Sequence, residues 1–257
     1  KDHPEVAPSQ FEMNFSYSDV VRAADNIQLY KLIARQVARN MGMTATFLPK
    51  PFMGINGSGM HTNFSLSKNG KNIFHDPKGE EGLSKIAWDF ILKILNHAPE
   101  ICLVLNSSVN SYRRLDPHFE APNQIKVSAI DRGSMIRIPV GNEKTARLEV
   151  RSVAPDANPY LVLYTLIKTG MEGKKLQKDE NKRDRIRFLP DNIYDAIAGM
   201  KSSKFMADVM GEESKEKFIR YKQMAADRSP KELGTTVKRS EVIYHHEVTN
   251  QLLWNSF

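Results

Sequence analysis

Two stretches of alternating residues bring polar side chains together on the faces of predicted strands. In residues 60–66, three polar side chains share one face: His61, Asn63 and Ser65. In residues 147–151, three charged side chains share one face: Arg147, Glu149 and Arg151. Planar guanidinium groups suit carboxylate and phosphate oxygens, whereas carboxylates with an imidazole suit a hard divalent cation. These strands therefore indicate a site for an anionic substrate and a metal ion.

A glycine-rich loop over residues 54–59 precedes the first of these strands. It is followed by Met60 and His61 rather than by Lys-Ser or Lys-Thr, and it opens a strand rather than a helix, so both standard nucleotide-binding fingerprints fail. Its glycines still allow the backbone to approach a ligand closely. A second loop candidate is Glu120, which lies beside Pro122 and shortly after Arg113 and Arg114.

The elements that must position these residues follow from periodicity. Alternation over residues 11–17 predicts a half-buried strand in which Phe11 and Met13 face the core and Glu12 faces away from it. Asp19 precedes an apolar pattern of helical period that stops at Gly42. Further helices are predicted over residues 83–95 and from Tyr160 to about Thr169, where Gly170 ends the pattern, and residues beyond 173 are helical in pattern.

Composition narrows the class of protein. The chain has 257 residues, 40% hydrophobic and 26% charged, as in ordinary globular proteins. A net charge of +7 is compatible with nucleic acid, a membrane surface or small anions, but the densest basic run, residues 182–187, is typical of a solvated loop. One cysteine, Cys102, excludes a disulfide framework and fits a reducing compartment. Charge alone does not choose among these partners. The cysteine usage favours a cytoplasmic protein, and our expectation is that it binds neither nucleic acid nor a membrane.

Six longer motifs carry a resemblance to a known family. They lie in order over about residues 3–173: Glu5-Val-Ala-Pro8, Phe47-Leu-Pro-Lys-Pro51, Asn56-Gly-Ser-Gly-Met-His61, Asn110-Ser-Tyr-Arg-Arg-Leu115, Phe119-Glu-Ala-Pro122 and Asn158-Pro-Tyr-Leu161. Together they resemble the catalytic domain of type I glutamine synthetase. Several motifs in register are far more specific than any one of them alone.

The resemblance implies a two-step glutamate–ammonia ligase. ATP would phosphorylate the γ-carboxylate of glutamate, and ammonia would displace phosphate to give glutamine. The family pattern assigns Glu5 and Glu12 to a first metal ion, and His61 and Glu149 to a second one on the ATP phosphates. Oxygen-rich ligation implies Mg²⁺ or Mn²⁺.

The same resemblance implies roles for the remaining candidates. Arg114 and Arg151 match residues that hold the carboxylates of glutamate, and Asn56 and Gly57 match contacts to its amino-acid end. Three residues match nucleotide contacts: Ser65, Arg137 and Arg147. Arg132 matches a catalytic arginine near the nucleotide or the transferring phosphate. Glu120 matches a loop glutamate that closes over the intermediate and helps to deprotonate ammonium, an appropriate task for a carboxylate that excludes water.

The resemblance also implies a fold and an assembly. We expect an α+β fold of the glutamine synthetase/guanido kinase-like type, with a curved antiparallel sheet backed by helices and its polar concave face carrying the ligand. Residues 1–257 would form one catalytic domain, of which 174–257 are mostly helical, and relatives assemble as dodecamers of stacked hexameric rings. The family's N-terminal β-grasp domain and an earlier strand with further metal carboxylates precede the residue matching Glu5, so we expect this chain alone to be weakly active or inactive.

Two positions of the family pattern need separate mention, and two other functions remain open. Asn63 stands where many members have a histidine near the nucleotide, and Tyr194 resembles a tyrosine that some bacterial members modify with AMP. A γ-glutamyl-amine ligase would keep the ATP machinery with a larger ammonium pocket. A non-enzymatic relative would keep the fold as a binding module.

Overall fold

The computed structural model describes residues 2–52, 54–116, 121–176 and 186–232. Its strands are β1 (Asp2–Pro4), β2 (Phe11–Met13), β3 (Thr62–Phe64), β4 (Ser67–Lys68), β5 (Lys71–Asn72), β6 (Gln124–Ser128), β7 (Ser134–Arg137) and β8 (Leu148–Val150). Its α-helices are α1 (Val20–Asn40), α2 (Lys85–Leu105), α3 (Val109–Arg114), α4 (Pro159–Glu172), α5 (Ile193–Ser202), α6 (Lys204–Met210) and α7 (Glu212–Glu232). This mixture confirms the predicted α+β class.

The central sheet has the strand order β3-β8-β7-β6. The pairs β3–β8 and β7–β8 are antiparallel, as predicted, whereas β6 and β7 pair in parallel with a register shift between Gln124 and Val127. Two separate hairpins lie outside this sheet: β1–β2 precedes it in the chain, and β4–β5 follows β3. The pairing of β3 with β8 brings together two strands that are distant in sequence and that both carry polar candidate residues.

One hydrophobic core joins the sheet to the helices. Leu148 and Val150 of β8 and Ile136 of β7 are fully buried, and they belong to the same cluster as Phe90 of α2 and Leu166 of α4. Helix α2 packs against α4 and α5, and α7 packs against α5 and α6. The apolar face of the sheet is therefore covered by helices, which leaves its other face for polar side chains. None of the described helices is long and apolar enough to cross a membrane.

The predicted first helix is confirmed, with a cap at each end. The side chain of Asp19 accepts a hydrogen bond from the backbone N–H of Arg22, and Gly42, just beyond the helix, has a φ of 71°.

The prediction for residues 11–17 is wrong in length and in direction. The strand β2 ends at Met13, and Phe11 and Met13 are 70% and 43% exposed, whereas Glu12 between them is half-buried. Alternation fixes only that neighbouring side chains point to opposite faces. Which face meets the rest of the protein depends on the docking of the hairpin, and here the docked face is that of Glu12.

The prediction that Gly170 ends its helix is wrong, because α4 continues through this glycine to Glu172. A Cβ atom at this position would fall on the ring of the buried Phe90, so the glycine allows α4 to approach α2. Helix formation tolerates one glycine at a cost of about 1 kcal/mol, which the close packing of two helices offsets.

We expect Gly170→Ala to destabilise the fold by about 3 kcal/mol, because overpacking a dense core costs more than the improved helix propensity returns. For a chain of this length the melting temperature should fall by roughly 8 °C in a circular dichroism melt. The double variant Gly170→Ala/Phe90→Leu should lose less stability than the two single variants added together. An unchanged melting temperature for Gly170→Ala would contradict the proposed close contact.

Candidate active site

The register of the sheet aligns three polar residues across its exposed face. Glu149 of β8 lies opposite Asn63 of β3 on one side and opposite Arg137 of β7 on the other. Opposed residues in antiparallel strands share a face, and residues two positions apart share it as well. His61, Arg147 and Arg151 therefore extend the same row, as the alternation of the two strands predicted.

Glu149 is the centre of this row. It is only 6% exposed, and its Oε1 atom lies 3.2 Å from His61 Nδ1 and 3.9 Å from Arg151 Nε. Its Oε2 atom accepts a hydrogen bond of 2.9 Å from Arg137 Nη1. One buried carboxylate thus has three cationic or imidazole neighbours, which is the arrangement that a buried charge requires.

These neighbours set the ionisation of the cluster. Burial by itself raises the pKa of Glu149, but the hydrogen bond from His61 and the nearby guanidinium charges hold that pKa below the usual carboxyl value. Burial lowers the pKa of His61; the hydrogen bond to Glu149 opposes this shift, and the charge of Arg114 adds to it. At neutral pH the site therefore holds an ionised carboxylate beside a neutral imidazole.

Arg114, at the end of α3, closes one side of the cluster. Its Nη1 atom donates to the carbonyl oxygen of Val153 (3.2 Å) and its Nη2 atom to that of Arg151 (2.8 Å), and Nη2 lies 3.5 Å from His61 Nε2. Burial lowers the pKa of Arg114 to about 10, and the positive charge of Arg151 contributes to the shift. The hydrogen bonds of Arg114 go to neutral carbonyls and the nearby Asp156 opposes the shift, so the guanidinium stays charged and can attract an anionic ligand.

The glycine loop packs directly on this arginine. A Cβ atom at Gly57 would meet the carbonyl oxygen of Pro49 and would lie 3.2 Å from Cγ of Arg114. A Cβ atom at Gly59 would meet the guanidinium of Arg114 and the imidazole of His61. These two positions need glycine for close approach, and the loop forms a wall of the site.

The other predicted residues lie along the same face or at its edge. Arg147 Nε donates to Asn63 Oδ1 (3.0 Å), so asparagine at this position orients an arginine. The exposed Arg132 lies in the β6–β7 connection, and its carbonyl oxygen accepts from Arg151 Nη1 (2.5 Å). Ser65 is exposed just after β3, and Asn56 is half-buried in the glycine loop.

Comparison with known proteins decides the family. The family described as glutamine synthetase, catalytic domain, matches residues 1–239. This chain belongs to the glutamine synthetase family. The glutamine synthetase of Thermus thermophilus is 41% identical to it over 240 residues, which are 88% of this chain and 54% of that protein. One from Staphylococcus aureus strain MRSA252 is 39% identical with the same two coverages. The chain thus spans about half the length of these curated relatives.

Solved structures agree with this placement in the glutamine synthetase family. A cryo-EM structure of Plasmodium falciparum glutamine synthetase has a TM-score of 0.83 at 25% identity, and the match covers 96% of this chain and 57% of that one. A structure described as apo GmaS without ligand has a TM-score of 0.74 at 30% identity, covering 93% and 56%. Both matches extend over nearly the whole of this chain, so the fold as well as the sequence is that of the family.

The metal positions predicted from the family pattern lie on two parts of the chain. His61 and Glu149 touch each other, whereas Glu5 is exposed beside the hairpin and Glu12 is half-buried on β2. Within the described ranges, no group of three or more His, Cys, Asp and Glu side chains could hold a metal ion. Ionised carboxylates with a neutral imidazole are nonetheless donors that Mg²⁺ and Mn²⁺ accept, so the residues present fit such an ion as part of its ligand set. Glu120 lies outside the described residues.

Residues that the motif reading assigned no role hold the site together. Asn110 of α3 bonds twice to the backbone of Lys50, accepting from its N–H (2.7 Å) and donating to its carbonyl oxygen (2.9 Å). Ser111 donates to the half-buried carboxylate of Asp156 (3.0 Å), beyond β8. Both contacts fix α3, and with it Arg114, against the two segments that form the walls. In the sequence, the signal for both residues was their place in the motif Asn110-Ser-Tyr-Arg-Arg-Leu115.

Proposed function

We propose that this chain forms the catalytic half of a glutamate–ammonia ligase that makes glutamine from glutamate, ammonium and ATP through γ-glutamyl phosphate. The observation that carries the proposal is the buried Glu149 with His61 and a surrounding group of arginines on one sheet face. Family membership and the names of the relatives support the same chemistry. Assembly of several copies, as in full-length relatives, belongs to this proposal.

In this mechanism the arginines bind and orient the two anionic substrates. Arg114 and Arg151 would hold the carboxylates of glutamate against the glycine loop, where the backbone at Asn56 and Gly57 can approach closely. Arg137 and Arg147 would face the ATP phosphates, with Ser65 at the rim and Arg132 beside the transferring group. Phosphoryl transfer depends mainly on positioning and on compensation of negative charge, which this cluster supplies.

The metal and loop residues complete the proposal. Mg²⁺ or Mn²⁺ would supply charge neutralisation at the phosphate and carboxylate oxygens when bound. Glu149 and His61 would hold one ion and Glu5 and Glu12 the other, in each case as a partial ligand set. Glu120 would accept a proton from ammonium and shield the acyl phosphate from water.

Two measurements on the purified chain test this function. Calorimetry should detect binding of ATP in the presence of Mg²⁺, and formation of γ-glutamyl hydroxamate from glutamate, ATP and hydroxylamine should be very weak, because the ligand sets are partial. Absence of both ATP binding and hydroxamate would contradict an enzymatic role and favour a binding module. If a polyamine competes better than ammonia for the acyl intermediate, the substrate is an amine instead.

We expect binding of Mn²⁺ to stay constant from pH 8 to pH 6.5 and to weaken only below that range. The pKa of His61 is lowered from 6.5 by burial, so its ring stays neutral, and able to ligate, until the pH falls through that lower value. Free Mn²⁺ measured by electron paramagnetic resonance across this range checks the prediction. His61→Gln should bind more weakly throughout and lose this pH step. A midpoint above pH 6.5 in the parent chain would refute the assignment of His61.

A further inference from the structure

The side chain of Gln10 joins the hairpin that carries the candidate carboxylates to the glycine loop. Its Nε2 atom donates to the carbonyl oxygen of Gly57 (3.0 Å) and to Oγ of Ser58 (3.0 Å). Its Oε1 atom accepts from the backbone N–H of Ala7 (3.3 Å). One amide thus bridges two segments that lie 47 residues apart.

On the hairpin side, Gln10 closes the turn between β1 and β2. Its carbonyl oxygen accepts from the N–H of Glu5 (2.9 Å), and its own N–H donates to the carbonyl of Ala7 (3.2 Å). Ser9, within this turn, has a φ of 54°, an unfavourable value for a residue with a side chain. Glu5 bonds directly to Gln10 and Glu12 lies two residues beyond it, so Gln10 holds the backbone of the turn that joins the two glutamates.

On the loop side, Gly57 and Ser58, the residues that Gln10 contacts, are themselves packed against other parts of the site. The N–H of Ser58 donates to the carbonyl of Pro49 (2.8 Å), and Gly57 lies against Arg114 with no space for a Cβ atom. The hydrogen bonds of Gln10 therefore connect the hairpin to the wall beside Arg114.

The primary amide suits this position because it offers two donors and one acceptor at the end of an unbranched chain. A carboxylate would place oxygen opposite the carbonyl of Gly57 and would add charge beside two glutamates. Methionine has nearly the same length but neither donor, and it would leave half-buried polar partners unpaired.

We propose that Gln10 is a positioning residue that couples the carboxylate hairpin to the glycine loop, so that a divalent cation on Glu5 and Glu12 orders the loop facing Arg114. The role of the cation in this proposal rests on the proposed function, whereas the link between hairpin and loop rests only on the three hydrogen bonds of the Gln10 side chain.

Hydrogen exchange followed by mass spectrometry tests both parts, with Gln10→Met compared with the parent chain and with Gln36→Met, a change at an exposed position on α1. Without metal, Gln10→Met should raise the exchange rate about ten-fold in peptides covering residues 4–13 and 54–60. The variant lacks the three side-chain hydrogen bonds of Gln10, so local opening of both segments becomes less costly. Gln36→Met should leave both peptides as in the parent. Equal exchange in Gln10→Met and the parent would overturn the link.

Addition of Mn²⁺ separates coupling from simple support. In the parent, Mn²⁺ should slow exchange in both peptides; in Gln10→Met it should slow only residues 4–13, with metal affinity changed less than about three-fold, as the ligands remain. Slowing of both peptides in Gln10→Met would overturn the coupling while the proposed function stands. If Mn²⁺ does not bind the parent chain, the proposed metal role fails and the cation part fails with it, whereas the metal-free comparison still decides the link.

Ser58→Ala provides an internal check, since it removes one of the partners of Gln10. It should accelerate exchange in the 54–60 peptide less than Gln10→Met does, and the double variant should exchange no faster than Gln10→Met alone. Additive effects in the double variant would show that Ser58 and Gln10 act separately and would contradict the proposed bridge.

Discussion

Glu149→Gln is expected to weaken binding of Mn²⁺ by more than about 100-fold and to cost about 2 kcal/mol in the free energy of unfolding. The substitution removes the carboxylate that contacts His61, Arg137 and Arg151, so the two arginines lose the negative charge of Glu149. Partial exposure of Arg137, 43% for its side chain, keeps the loss below that of a fully buried pair. Mn²⁺ titration and urea denaturation measure the two effects.

Glu172→Gln is the matched control, because it removes a carboxylate paired with Lys168 on the surface of α4. It should change neither Mn²⁺ binding nor stability measurably. If Glu149→Gln behaves like this control, Glu149 is not the centre of the site.

The stability difference between Glu149→Gln and the parent should depend on pH in a defined direction. The pKa of Glu149 is lowered in the folded chain, so its contribution is complete above the unfolded value of 4.5 and disappears as the pH falls through the lower folded value. The difference between the urea midpoints of the parent and of Glu149→Gln should therefore be the same at pH 7 and at pH 5. At lower pH the two midpoints should converge. A difference that grows on acidification would contradict the ionised state assigned to Glu149.

Arg114→Lys is expected to raise the dissociation constant for glutamate about 100-fold, although the charge is kept. Lysine lacks the planar fork with which Arg114 holds the carbonyl oxygens of Val153 and Arg151, and the loss of a buried charged contact has an effect of this size. Calorimetry with glutamate in the presence of ATP and Mg²⁺ measures the change.

Arg39→Lys, an exposed substitution in the last turn of α1, serves as the control and should bind glutamate as the parent does. Circular dichroism should show that the helices of Arg114→Lys remain. Unchanged glutamate binding in a folded Arg114→Lys would remove Arg114 from the proposed substrate site.

This chain matches only about half the length of its relatives, which bears on the choice of measurement. The chain spans 54% of two curated relatives and 57% of one solved relative. Among its described residues, no group of three or more His, Cys, Asp and Glu side chains could hold a metal ion, so binding measurements on this chain test the assignments more directly than turnover does. The same substitutions made within a full-length context would then report on catalysis.

Alternation and capping in the sequence determined much of the sheet face and the first helix. The period of two placed His61 with Asn63 and Glu149 with Arg151, because successive side chains of any strand alternate. Asp19 and Gly42 marked the bounds of α1, because capping depends on residues adjacent in the chain. These properties are local, and the structure confirms them.

Only the tertiary structure decided which surfaces meet. Glu12 rather than Phe11 is the more buried residue of its strand, Gly170 continues a helix because Phe90 packs on it, and Gln10 bonds to a loop 47 residues away. The parallel pairing of β6 with β7 likewise has no local signal. Periodicity sets the relative directions of neighbouring side chains, whereas burial and long-range hydrogen bonds depend on how distant segments pack, and no window of sequence contains that information.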